Sequence, residues 1–191
     1  MTNQPKSVGA RIQRLIMLGA IGAGSLVASP AFAAPTQGSL GATSTGSITI
    51  TASVPNRARI TGLSDVTFAN QDPNTAASNA QNVCVWSNTA THAYTITATG
   101  SGTANAFTLT NTSTTVPYSV EWAATSGQTS GTALAAGTAS SWLTSGAVNQ
   151  TCSSAPLASA SLIVKIGTTD LGTMTAGGNY TGTLTLVVTP Q

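Results

Sequence analysis

From residue 47 onward, apolar and polar side chains alternate in short runs. In SITITASV, residues 47–54, Ile48, Ile50, Ala52 and Val54 fall in one phase and Ser47, Thr49, Thr51 and Ser53 in the other. That is the period of two expected of a half-buried strand. Similar runs follow in ARITGL (58–63), DVTFA (65–69), NVCVWS (82–87), AYTITAT (93–99), AFTLT (106–110), PYSVEWA (117–123), SLIVKIG (161–167) and TGTLTLVVT (181–189). Turn-rich stretches such as GSGTAN and TAGGN separate them, and no window sustains a helical period. Short strands at this spacing predict an all-β fold, a β-sandwich with one face of each sheet packed and the other wet. Any helix is expected to be confined to a turn or two.

The phases also predict the core. Tyr94, Ile96 and Ala98 share a face, as do Val116, Tyr118, Val120 and Trp122, and again Leu162, Val164 and Ile166. The most regular run closes the chain, with Tyr180, Gly182, Leu184, Leu186 and Val188 in one phase and threonines in the other. Residues 123–159 carry Leu134, Trp142, Leu143 and Val148 as their strong apolar anchors, so loops with short strands are expected there.

The first run poses a problem of its own. It is β-branched, uncharged and free of proline until Pro55. Left on an edge, its N–H and C=O groups would template another chain. Such a segment is either hidden or used. As an ordinary first strand it would be hidden in its own sandwich; as a donor it would be used by another.

The N-terminus reads as an address. Lys6, Arg11 and Arg14 precede the apolar LIMLGAIGAGSLVA (15–28), and Ala31 and Ala33 supply the small residues of a cleavage site. This predicts a signal peptide over residues 1–33 and an exported mature chain, with an uncleaved anchor as the competing reading. Without that segment, Arg57, Arg59 and Lys165 stand against Asp65, Asp72, Glu121 and Asp170, a net charge of −1. No basic patch remains to neutralise phosphates, so nucleic acid and anionic lipid are not expected partners. The mature chain is one domain's worth, with an N-terminal extension over 34–56 and a sandwich domain over 57–191.

Two cysteines, Cys84 and Cys152, remain after the leader, in a compartment that favours a disulfide between them. A metal site is disfavoured, because His92 is the one imidazole and no further Cys or His stands at ligand spacing. No cofactor is expected. Four carboxylates and one histidine are a poor supply for acid–base catalysis, and no GxSxG elbow occurs. Ser and Thr are plentiful enough that a triad built on His92 is not excluded by counting, yet a turn residue is its ordinary reading, and no enzyme is expected. NQDPN (70–74) has the alternating oxygens of a calcium loop without its Gly or distant Glu, and so reads as a polar turn. The sequons at Asn111, Asn149 and Asn179 are what chance gives in such a composition.

In order, TGSITITASVPNRARI, DVTF, VCVWSNTATHAYTITATGSGTANAFTLT, VPYSVEWA and AGGNYTGTLTLVVTP resemble the spore coat protein U-like family of chaperone-usher pilus subunits. The resemblance implies an immunoglobulin-like sandwich lacking its last strand. It implies that a periplasmic chaperone first supplies that strand, and that the N-terminal extension of the next subunit then replaces it at an outer-membrane usher. Ile48, Ile50, Ala52 and Val54 would be the donor residues, neighbouring subunits the partners, and a surface fimbria the product. Where family members carry an early Cys this chain has Ala58, and where they often show Phe-Gly it has Phe68 and Ala69. The usual early bridge therefore has no counterpart, leaving Cys84 to pair with Cys152. The rival function is a secreted adhesive or carbohydrate-binding module using Trp86, Trp122 or Trp142 as stacking platforms.

Overall fold

The computed structural model describes residues 34–112 and 114–191, so the leader expected over residues 1–33 lies outside the described residues. The chain divides between Ala52 and Ser53 into two units. In the described part of the first unit, Thr36 and Ser47 exchange backbone hydrogen bonds of 3.0 and 2.9 Å. Residues 48–54, expected as a strand, carry no ladder.

The second unit is built of antiparallel strands. A five-stranded sheet has the order β1 (Ala58–Thr61), β2 (Ala77–Ser87), β9 (Ala160–Ile166), β6 (Ser119–Ala123), β7 (Thr132–Ala133). A narrower sheet has the order β10 (Leu184–Pro190), β3 (Ala93–Gly100), β8 (Leu143–Thr144). A hairpin of β4 (Thr108–Asn111) and β5 (Thr114–Pro117) stands apart. The sole α-helix among the described residues is one turn, Thr168–Leu171, with Leu171 buried. The expected all-β sandwich is what the chain forms. Strands β1, β2, β9 and β6 stand in the order A-B-E-D of an immunoglobulin sandwich, and β3 and β10 stand as C and F. The G strand of that arrangement has no counterpart among the described residues.

The core lies between the sheets. Val83, Val85, Tyr94, Ile96, Val120, Trp122, Ala160, Leu162 and Val164 form one buried cluster, which includes Tyr94, Ile96, Val120, Trp122, Leu162 and Val164 of the alternate-phase residues expected inside, while Tyr118, Leu184, Leu186 and Val188 pack against it partly buried. Its polar tie is the Trp122 indole N–H, which donates to the Tyr94 hydroxyl at 3.1 Å. Burial raises the Tyr94 phenol above its usual pKa of 10.0, opposed in part by that hydrogen bond. β9 lies between β2 and β6 and is buried on both faces. On its outer side the Ser161 hydroxyl accepts from the Gln128 N–H and donates to the Thr125 carbonyl, so the loop after β6 covers it.

Three departures from the periodic pattern have local causes. PYSVEWA (117–123) is split: β5 pairs with β4, and β6 pairs with β9. Pro117 offers no N–H to continue a ladder, and the Tyr118 N–H turns to the Phe107 carbonyl. Val116 accordingly joins a second cluster with Ala77, Ile166 and Leu171, while Val120 and Trp122 join the first. DVTFA (65–69) makes no strand. Gly62 takes a positive φ of 81°, and beyond it the Gln81 side chain accepts from the Ser64 N–H and donates to the Ser64 carbonyl in place of a ladder. Val66 and Phe68 still pack against the core. In the closing run, Thr181 bonds reciprocally with Thr110, and the continuous strand starts only at Leu184.

Cys84 and Cys152 form the expected disulfide, with Cα atoms 5.9 Å apart and both residues buried. Around it the Ser159 hydroxyl accepts from the Val85 N–H, and the Ser159 and Ser145 hydroxyls both donate to the Val85 carbonyl. The irregular region 145–159 is thereby fixed to the middle of β2. Of residues 123–159, expected as loops with short strands, Ala123 ends β6 and the rest are loops with the short strands β7 and β8.

Two predictions follow from this core. Replacing both cysteines by alanine frees a loop with a sequence separation of 68, and denaturant unfolding should show a loss of about 4 kcal/mol in the chain-entropy model. Tyr94→Phe leaves the buried Trp122 N–H without its acceptor and should cost about 1–3 kcal/mol. Because the Tyr94 pKa is raised, its contribution is complete below pH 10 and is lost as the pH rises through the higher folded value. The wild-type stability should therefore fall more steeply than the Tyr94→Phe stability as the pH rises above 10.

Candidate functional site

The two sheets end differently on their two sides. On one side, residues 137–144 pair with the edge of β3. The Gly137 N–H donates to the Ala98 carbonyl at 2.8 Å, the Ser140 N–H donates to the Ile96 carbonyl at 2.9 Å, and β8 pairs with Ala93 and Tyr94. On the other side, β10 pairs among the described residues with β3 alone. β10 is an edge strand.

The register shows what that edge exposes. Leu186 lies opposite Ala98, and Val188 lies opposite Ile96. Ala98 and Ile96 are fully buried, whereas Leu184, Leu186 and Val188 on the same inner face are only half-buried. Ile60 on β1, the edge of the wider sheet, is likewise half-buried beside the same core. β1 and β10 approach one another on this side without a ladder between them. The alternation in the closing run thus predicted the correct face, but a core strand buries that face more fully than β10 does.

The remaining candidate residues are dispersed. Ile48, Ile50 and Val54 are 75%, 86% and 78% exposed, and Ala52 is exposed as well. Of the three candidate platforms, Trp122 is enclosed in the core, Trp86 packs against the disulfide and Trp142 alone is exposed. Trp122 presents no ring face for stacking. His92 is exposed in the β2–β3 turn with a φ of 53°. In NQDPN, the Asp72 carboxylate accepts from the Asn74 N–H at 2.9 Å, closing a polar turn on itself. The single ion pair among the described residues joins Lys165 and Glu121 across β9 and β6 at 2.7 Å. The Lys165 hydrogen bond, with a second from the Gly131 N–H, holds the Glu121 carboxyl below its usual pKa. These groups serve the sheet.

No family model matches the chain, and no curated protein matches its sequence.

The difference in burial between β3 and β10 is measurable. In the monomeric chain, Ile96→Ala should cost about 2–5 kcal/mol, the usual range for a filled core position. Leu186→Ala should cost less than half of that, because water already reaches its side chain. Equal losses in denaturant unfolding would show that β10 is as well covered as β3.

Proposed function

We propose that the chain is a structural subunit of a surface fibre, in which the open edge of β10 receives residues 48–54 of another copy. The observation that carries this reading is the complementarity of two unsatisfied elements in one sequence. β10 is a seven-residue edge strand whose Leu184, Leu186 and Val188 are half-covered. Residues 48–54 are also seven long and hold Ile48, Ile50, Ala52 and Val54 exposed in one strand phase. Strand addition would pair the backbone of β10 and cover its inner face with one set of side chains, while Thr49, Thr51 and Ser53 remained toward water.

Because the donor and the edge belong to different ends of the subunit's chain, each copy can give one strand and receive one. A head-to-tail contact of this kind propagates as a filament. The resemblance to chaperone-usher subunits supplies the route: export through the periplasm, a chaperone holding the edge, an usher exchanging it for the next subunit's extension, and delivery to the cell surface. A buried disulfide suits an oxidising compartment. The adhesive or carbohydrate-binding alternative rests on the exposed Trp142.

The test replaces Ile48 and Ile50 by Asp in the full chain, expressed with its chaperone. Burying each large aliphatic side chain stabilises by about 1.5–3 kcal/mol, and an unpaired carboxylate in the same place opposes insertion strongly. Polymer should disappear while the soluble subunit–chaperone complex persists. Loss of both would make the segment an intrinsic strand of its own domain. A monomer that never polymerises and binds glycans through Trp142 would favour the adhesive module.

A further inference from the structure

The chain enters β1 through Pro55, Asn56 and Arg57, and one side chain holds two of these residues. Asn88 follows directly after β2 and continues the register in which Ala58 faces Ser87. Its backbone N–H donates to the Arg57 carbonyl at 3.0 Å. Its side-chain Oδ1 accepts from the Arg57 N–H at 2.6 Å, and its Nδ2 donates to the Pro55 carbonyl at 2.9 Å. A primary amide can do this because it carries an acceptor and donors on one planar group. Gln81 does the corresponding work past the other end of β1, where it bonds both the N–H and the carbonyl of Ser64.

The local sequence favours something else. Pro-Asn is a turn-forming pair: Pro presets the φ of the first central position, and Asn tolerates the second. A reversal over Pro55 and Asn56 would lay the preceding strand back alongside β1, on the side where β10 has its open edge. The same copy would then fill its own acceptor. Such a reversal turns the Arg57 and Pro55 groups away from Asn88 and breaks both side-chain hydrogen bonds.

Resting on the donor reading above, we infer that Asn88 is a positioning residue that holds Pro55 and Arg57, the root of the N-terminal strand, to the end of β2. It thereby biases residues 48–54 toward a second copy of this chain and against insertion into their own domain. Its role lies in choosing between intramolecular and intermolecular pairing, for which the same side chains and the same edge compete.

The experiment compares the wild-type mature chain with Asn88→Ala after refolding, separating monomer from polymer by size exclusion. The monomer-to-polymer ratio should rise about tenfold, the order expected from two lost hydrogen bonds. Amide exchange in the Asn88→Ala monomer should show new protection over residues 48–54. Both changes should vanish when Ile48 and Ile50 are also made Asp. Asn88→Asp, which keeps the acceptor for the Arg57 N–H and loses the donor to Pro55, should fall between wild type and Asn88→Ala. It carries the test if Asn88→Ala fails to fold. An unchanged ratio, or a loss of monomer and polymer together in both variants, overturns the positioning role. If wild-type polymer forms but does not depend on Ile48 and Ile50, or none forms, the donor reading itself fails and the role of Asn88 falls with it. If that dependence holds and the Asn88 variants polymerise as wild type does, only the role of Asn88 is refuted.

Discussion

A sandwich closes only when each sheet is wide enough to cover the inner face of the other, and in this protein the two are unequal. Five strands stand on one side, and β10, β3 and the two-residue β8 stand on the other. β3 lies in the middle of the narrow sheet, and Tyr94, Ile96 and Ala98 are fully buried there. One strand further out, the same inner face at Leu184, Leu186 and Val188 meets water. The hydrophobic effect scales with apolar area removed from water, so apolar area added at this margin would stabilise the fold. The proposed function rests on that inequality.

The rest of the architecture makes the margin specific to one side. Residues 137–144 run along β3 on the far side and pair with it, while the disulfide and the hydroxyls of Ser145 and Ser159 hold the loops after β8 against β2. A chain with almost no charge has few ion pairs available for such tasks. Short side chains bonded to backbone groups perform them here, which gives the abundance of Ser, Thr and Asn a structural meaning. The amides of Gln81 and Asn88 belong to the same economy, extending the β1–β2 pairing where the backbone ladder stops.

Much of the fold was legible in the alternation of side chains. The second half of β2, the positions of β3, β9 and β10, the pairing of the two cysteines and the loop character of most of residues 123–159 could be read from period, count and turn residues, whereas residues 77–81 of β2 were not expected as strand. The segment DVTFA could not, because its pattern is that of a strand and only the turn at Gly62 and the Gln81 side chain remove it from the sheet. Trp122 looked like both a core residue and a stacking platform. The hydroxyl of Tyr94, distant in sequence, makes it the former.

The sequence by itself determined which faces of the strands are apolar, because side chains alternate across a strand whatever lies beside it. It also determined that residues 48–54 carry such a face with no charge to protect it. Only the tertiary structure decided how far each face is covered. Burial depends on the neighbour a strand acquires, and strand order joins residues distant along the chain: β1 to β2, β9 to β2 and β6, and β10 to β3. Leu186 and Ile96 follow the same alternating pattern. Ile96 lies in the middle of a sheet and Leu186 at its edge, and that difference in position turns one apolar stripe into core and leaves the other half-buried.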